Sequence, residues 1–191
     1  MSQVLQWLSD GDLRSDGVSN EVVKFVLTNR AAFADLYEGL SAPDNVVRGR
    51  TADALEKIAR SQPEWVENHI PDLVEVARRD EVPMVRFHLA MTLGHLAIYQ
   101  DHIDEITQAL LDLLEDDSVF VKSWAIASLC IVGRLYPDKR ETIVQRISAL
   151  QSDTSAAVRT RVRKALPVLT NEMAVFPKGW IKSQRVLDSL A

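Results

Sequence analysis

Four histidines, one cysteine and four tryptophans carry the widest chemical repertoire in this 191-residue chain. Histidine can ligate metal or move protons near neutral pH, and cysteine becomes a nucleophile once it is a thiolate. His88 and His95 stand seven residues apart, two turns of one helix; His102 opens the next helix and His69 stands alone. A zinc centre needs three or four converging ligands, yet neither Cys-x-x-Cys nor His-Glu-x-x-His occurs. Cys130 lies in an apolar run without an evident activating base, which suits a small core residue. There is no Gly-x-Ser-x-Gly elbow and no glycine-rich phosphate loop. Trp65, Trp124 and Trp180 read as packing residues. The expectation is a protein with no catalytic residues, no cofactor and no metal.

Charge is the stronger signal. The chain has 22 Lys plus Arg against 27 Asp plus Glu, a net charge of −5, which argues against nonspecific coating of nucleic acid. Residues 1–133 balance at −11 and residues 134–191 at +6. Between Gln100 and Asp117 lie seven acids and no Lys or Arg, among them Asp101, Asp104, Glu105 and Asp112. Glu64, Glu67, Asp72 and Glu75 lie one repeat earlier. Gathered on one side, these eight would hold a cationic protein or peptide segment. The alternative site is basic: Arg159, Arg161, Arg163 and Lys164 with Lys178, Trp180 and Lys182. Such a cluster could bind nucleic acid or a phosphate ligand, dock head to tail on the acids of a second copy, or close the last hydrophobic layer.

The elements that must position these groups come from an internal repeat. Val47-Arg48, Val85-Arg86, Val121-Lys122 and Val158-Arg159 recur at intervals of 38, 36 and 37 residues. Apolar or small residues follow at offsets +4, +7 or +8 and +11, one stripe of a helix. After a break at Pro63, Gln100-Asp101 or Pro137, a second helix carries its own stripe, such as Ile103, Ile106, Leu110 and Leu114. The cation beside each valine predicts a structural ladder to turn acids such as Asp44, Asp80, Glu81, Asp117 and Asp153. A hairpin this short cannot bury both stripes alone, so hairpins must stack. The expected fold is all-α: an α-α superhelix of about five hairpins with no sheet.

The expected organisation is one domain over 1–191. Residues 1–40 form a degenerate cap, 41–78, 79–115 and 116–151 form repeats, and 152–191 the last repeat and C-terminal cap. The N-terminal cap reads as a helix near Gln3 to Ser9, a loop over Asp10 to Asn20, and helices at Val22–Thr28 and Ala31–Leu40. A closing helix, Trp180 to Leu190, should cover the open end. The longest uncharged apolar stretch, Ser123 to Gly133, is too short to cross a bilayer, and the N-terminus reaches Asp10 and Asp12 without a basic stretch. A cytoplasmic protein without membrane association is expected.

The Asp-rich turn, the Val-Arg pair and the Ala and Leu offsets resemble the HEAT-repeat family, in the subgroup also seen in phycobilisome lyases. The resemblance covers about Asp44 to Leu169 and is clearest in Val85-Arg86-Phe87-His88-Leu89-Ala90-Met91-Thr92-Leu93-Gly94. Lys122 replaces the arginine, and Arg163 stands where alanine is usual. The resemblance implies an α-solenoid with second helices lining the concave side, hence an acidic concave face. It implies a protein-binding scaffold, with a lyase-type enzyme or accessory protein as a further alternative. Di-iron HEAT-repeat hydroxylases use His-Glu pairs, and no histidine here precedes a glutamate. The Asp-Trp constellation of HEAT-like DNA glycosylases has no match either.

Overall fold

The computed structural model describes residues 2–15 and 17–191; Asp16, inside the expected N-terminal loop, lies outside them. The chain enters through α1 (Gln3–Leu8), α2 (Ser19–Thr28) and α3 (Ala32–Glu38). Three hairpins follow: α4 (Asn45–Ala59) with α5 (Ile70–Arg79), α6 (Pro83–Leu96) with α7 (Ile103–Asp112), and α8 (Val119–Leu135) with α9 (Arg140–Ala149). The chain ends with α10 (Ala156–Thr170) and the short α11 (Gln184–Leu190), and the described residues contain no strand.

First helices α2, α4, α6, α8 and α10 stack into one layer, and α5, α7 and α9 flank them as a second. The repeat valines hold the layers together: Val47 is 1% exposed, and Val85, Val121 and Val158 are fully buried. Each contributes roughly 1.5 kcal/mol or more of burial. Small residues let first helices approach closely. A Cβ added at Gly94 on α6 would sit 2.4 Å from Ser128 Oγ on α8, and Ser128 Oγ donates to the Ala90 carbonyl at 2.7 Å. Proline opens short 3₁₀ turns at Pro63–Trp65 and Pro137–Lys139 before α5 and α9.

The C-terminal segment departs from expectation. Trp180 closes a turn, its amide donating to the Pro177 carbonyl at 3.2 Å, and the last helix begins only at Gln184. Instead of closing the open end, the segment leaves α10 and runs back across the first-helix layer. Arg134 on α8 anchors its start by donating to the carbonyls of Glu172 (2.8 Å) and Ala174 (3.0 Å). Gly179 at φ +82° adopts the left-handed turn that sets the direction of Trp180. Trp180 is buried beside Met91, His95, Trp124, Ser128 and Ile131. Ser183 Oγ then reaches the Arg60 carbonyl at the end of α4 (3.2 Å), and α11 turns back onto α8. The outer face of α10 is left open.

Candidate functional site

The turns between hairpins repeat one device. Asp80, Asp116 and Asp153 each accept, through Oδ1, the amide two residues on: Val82 at 2.8 Å, Ser118 at 2.7 Å and Ser155 at 2.7 Å. The other carboxylate oxygen takes the cation of the preceding repeat, in Arg48–Asp80 (2.8 Å), Arg86–Asp116 (2.6 Å) and Lys122–Asp153 (2.9 Å). The hydrogen bond from Lys122 holds the Asp153 carboxyl below its usual range. The cations are therefore structural, as the once-per-repeat spacing predicts. Asp116 takes the place expected for Asp117, because its backbone position makes the helix-start turn. Asp44 instead caps α4 through the Val46 amide (2.7 Å).

The expected acidic residues lie on the second-helix layer and the turns leading into it. Glu64, Asp72, Glu75, Asp101, Asp104 and Asp112 are exposed, and Glu67 and Glu105 half-buried. Cations from neighbouring elements pair with some, Arg78 with Asp112 (2.9 Å) and Lys139 with Asp104, and Arg79 pairs with Glu75 within α5 (3.1 Å). His102 holds Glu105 at 2.6 Å. Glu64 and Glu67 converge on Tyr99, whose phenol is pushed up to about 12 by burial and by these two carboxylates. A groove between α7 and α9, with a volume of about 360 Å³, is edged by Asp104, Gln108 and Thr142. The first helices pack more closely than the second and carry the chain's own strap. The acids therefore form an open flank beside that filled surface.

The basic cluster is divided. Arg161 is held between the rings of Trp180 (4.8 Å) and Trp124 (5.2 Å), and Lys182 lies 4.8 Å from the Trp124 ring centre. Trp180 is buried, which suits its reading as a packing residue and takes it out of the alternative basic site. Arg163, Lys164 and Lys178 remain exposed, and Arg159 half-buried.

Sequence reasoning missed a buried polar network on α4 and α6. Lys57 Nζ bridges Asp53 Oδ2 (2.6 Å) and Ser19 Oγ (3.1 Å), and Ser19 also donates to Asp53. Glu56, wholly buried, takes Arg60 Nε (2.7 Å) and His95 Nε2 (2.9 Å). Burial alone would raise the Glu56 carboxyl; its bonds to His95 and Arg60 outweigh that and bring it to about 2. His88 Nε2 stands 3.7 Å from Asp53, and burial lowers the imidazole to about 4 despite that carboxylate. Asp53, Glu56 and His88 offer ligand atoms within 4.8 Å of one another, the spacing of a small cation site. Lys57 and Arg60 already neutralise both carboxylates, so a dication would have to expel two cations; the arrangement is an internal ion-pair network. Its sequence signal is two i,i+4 pairs, Asp53/Lys57 and Glu56/Arg60, inside a helix that also carries the apolar stripe. On α8, burial pushes up the Cys130 thiol, 3.9 Å from the Ala165 carbonyl.

These features define an all-α repeat solenoid stapled turn by turn, with charged flanks and its own tail across one layer. Residues 33–130 match the HEAT-repeat family, and the chain belongs to it. Among solved structures it is similar to the designed armadillo repeat protein YIII(Dq)4CqI, with a TM-score of 0.57 and 18% identity over 87% of this chain and 80% of that one. No curated protein matches the chain. No helix among the described residues is long and apolar enough to cross a membrane.

Proposed function

We propose that the protein is a noncatalytic interaction scaffold that binds a cationic protein or peptide segment on the acids of its second-helix layer. The observation that carries this reading is the run from Gln100 to Glu115, which places five acids and no Lys or Arg on one flank. Pairing with Arg78, Lys139 and Arg146 lowers its field without cancelling it. Glu64, Asp72 and Asp101 have no ion-pair partner among the described residues and present their charge to solvent. Exposed carboxylates on rigid helices favour association by charge steering. Solenoids of stacked hairpins offer extended surfaces of this kind.

A lysine-rich peptide titrated by calorimetry tests the proposal. Wild-type protein should bind it with an affinity that falls steeply as salt rises. The triple variant Glu64→Lys, Asp72→Lys, Asp101→Lys should weaken binding at least tenfold while melting as wild type does. Equal affinity of the two proteins, or binding indifferent to salt, would contradict the assignment.

A further inference from the structure

The arginines at this position of the repeat share one geometry, and it is incomplete at one end of the molecule. The fourth residue of α4, α6 and α10 is an arginine that turns one nitrogen back onto a carbonyl six residues upstream. Arg48 Nη1 reaches Ala42 O at 2.9 Å, Arg86 Nη1 reaches Asp80 O at 2.6 Å, and Arg159 Nη1 reaches Asp153 O at 2.7 Å. That anchor leaves the other edge of the guanidinium facing the next repeat. There Arg48 Nε meets Asp80, and Arg86 meets Asp116 through both Nε (2.6 Å) and Nη2 (3.1 Å). Arg159 carries the same anchored guanidinium, further fixed by the Thr154 carbonyl at 2.9 Å. Its Nε and Nη2 have no acceptor among the described residues.

The opposite end shows what a finished ladder looks like. The fourth residue of α2 is Val22, and Ala42 stands where the later repeats have their turn aspartate, so both members of that rung are apolar. At the α10 end the cation is present and its acid is missing. The C-terminal segment runs the other way and leaves this face uncovered. A cavity of about 600 Å³ lies there, lined by Gln151, Ala156, Arg159, Thr160 and Arg163. Ala156 and Thr160 are small enough for another backbone to come close, and Arg163 adds a second exposed cation.

We propose that the outer face of α10 is a docking site for a helical hairpin of a partner protein that opens with an aspartate turn, extending the stack by one rung in trans. The partner carboxylate takes Arg159 Nε and Nη2 in the two-point geometry that Arg86 makes with Asp116. Its helix lies along Ala156 and Thr160. This surface is separate from the acidic flank and opposite in charge, so either proposal can fail while the other stands.

The probe is a soluble helical peptide opened by the chain's own turn sequence, Glu115-Asp116-Asp117-Ser118, added to the full protein. Arginine Nε–H resonances are followed by NMR. The Arg159 signal should move saturably toward the positions of Arg48 and Arg86, which already hold carboxylates. Replacing the peptide's second residue by Asn should weaken the effect at least tenfold, and R159Q should abolish it. An unmoved Arg159 signal at millimolar peptide, or equal response to the Asp and Asn peptides, would overturn the proposal. So would saturation by an oligonucleotide at lower concentration than the peptide, which would mark a phosphate surface. A shift produced by protein concentration alone would assign the face to a second copy and overturn it equally.

Discussion

At the scale of single residues, the buried network makes acid sensitivity a property of this fold. His88 is held neutral, with its folded pKa near 4 against an ordinary 6.5, so on acidification the unfolded chain takes up the proton first. Stability should therefore fall as pH drops from about 6.5 to about 4, by up to about 3 kcal/mol for the full shift. Glu56 works in the next window: its pKa is depressed from 4.5 to about 2, so its contribution is intact above 4.5 and is lost as pH falls toward 2. Urea midpoints measured between pH 7 and pH 4.5 check the first effect, and His88→Gln should flatten that segment of the curve. An unchanged slope in the variant would place the sensitivity elsewhere. The sequence disclosed the histidine spacing but not this role. Asp53 and Glu56 look like any solvated acids of a helix until neighbouring repeats and the strap bury them. Tertiary cover, rather than local pattern, decides their fate.

At the scale of elements, the hairpins were legible because valine, alanine and leucine recur on a helical period with polar turns between them. The rung acids were legible in kind and missed by one residue at Asp116, since choosing between adjacent aspartates requires the backbone of the turn. The strap was not legible. Pro177 and Gly179 announce a break, yet a sequence does not say which layer an extended segment crosses. Close packing of α6 on α8 makes a firm prediction. Gly94→Ala gains about 1 kcal/mol in helix propensity but forces a Cβ against Ser128, so it should destabilise by about 1–3 kcal/mol net. Ser128 Cβ at 2.8 Å and its Cα at 3.3 Å leave no rotamer that relieves the contact. In a Ser128→Gly background the same substitution should cost less. Equal cost in both backgrounds, read from denaturant midpoints, would show that α6 and α8 do not meet there.

At the scale of the whole molecule, the acidic flank, the strap and the open rung all depend on hairpins stacked in one register. That register brings α5, α7 and α9 to one side and sets the −11 charge of residues 1–133 apart from the +6 of residues 134–191. It also makes a turn aspartate the joint between consecutive repeats, binding the amide just before its own helix while holding the previous repeat's cation. The most direct test is a double-mutant cycle across the central rung, using Arg86→Gln, Asp116→Asn and the pair together in urea denaturation. Both side chains are largely buried, at 14% and 9% exposure, so each single change should cost about 1–3 kcal/mol. The stacked register predicts a coupling of at least about 1 kcal/mol, because the second substitution removes a partner already lost. Strictly additive costs would mean that Arg86 and Asp116 do not meet in solution, and would contradict the arrangement from which every surface described above follows.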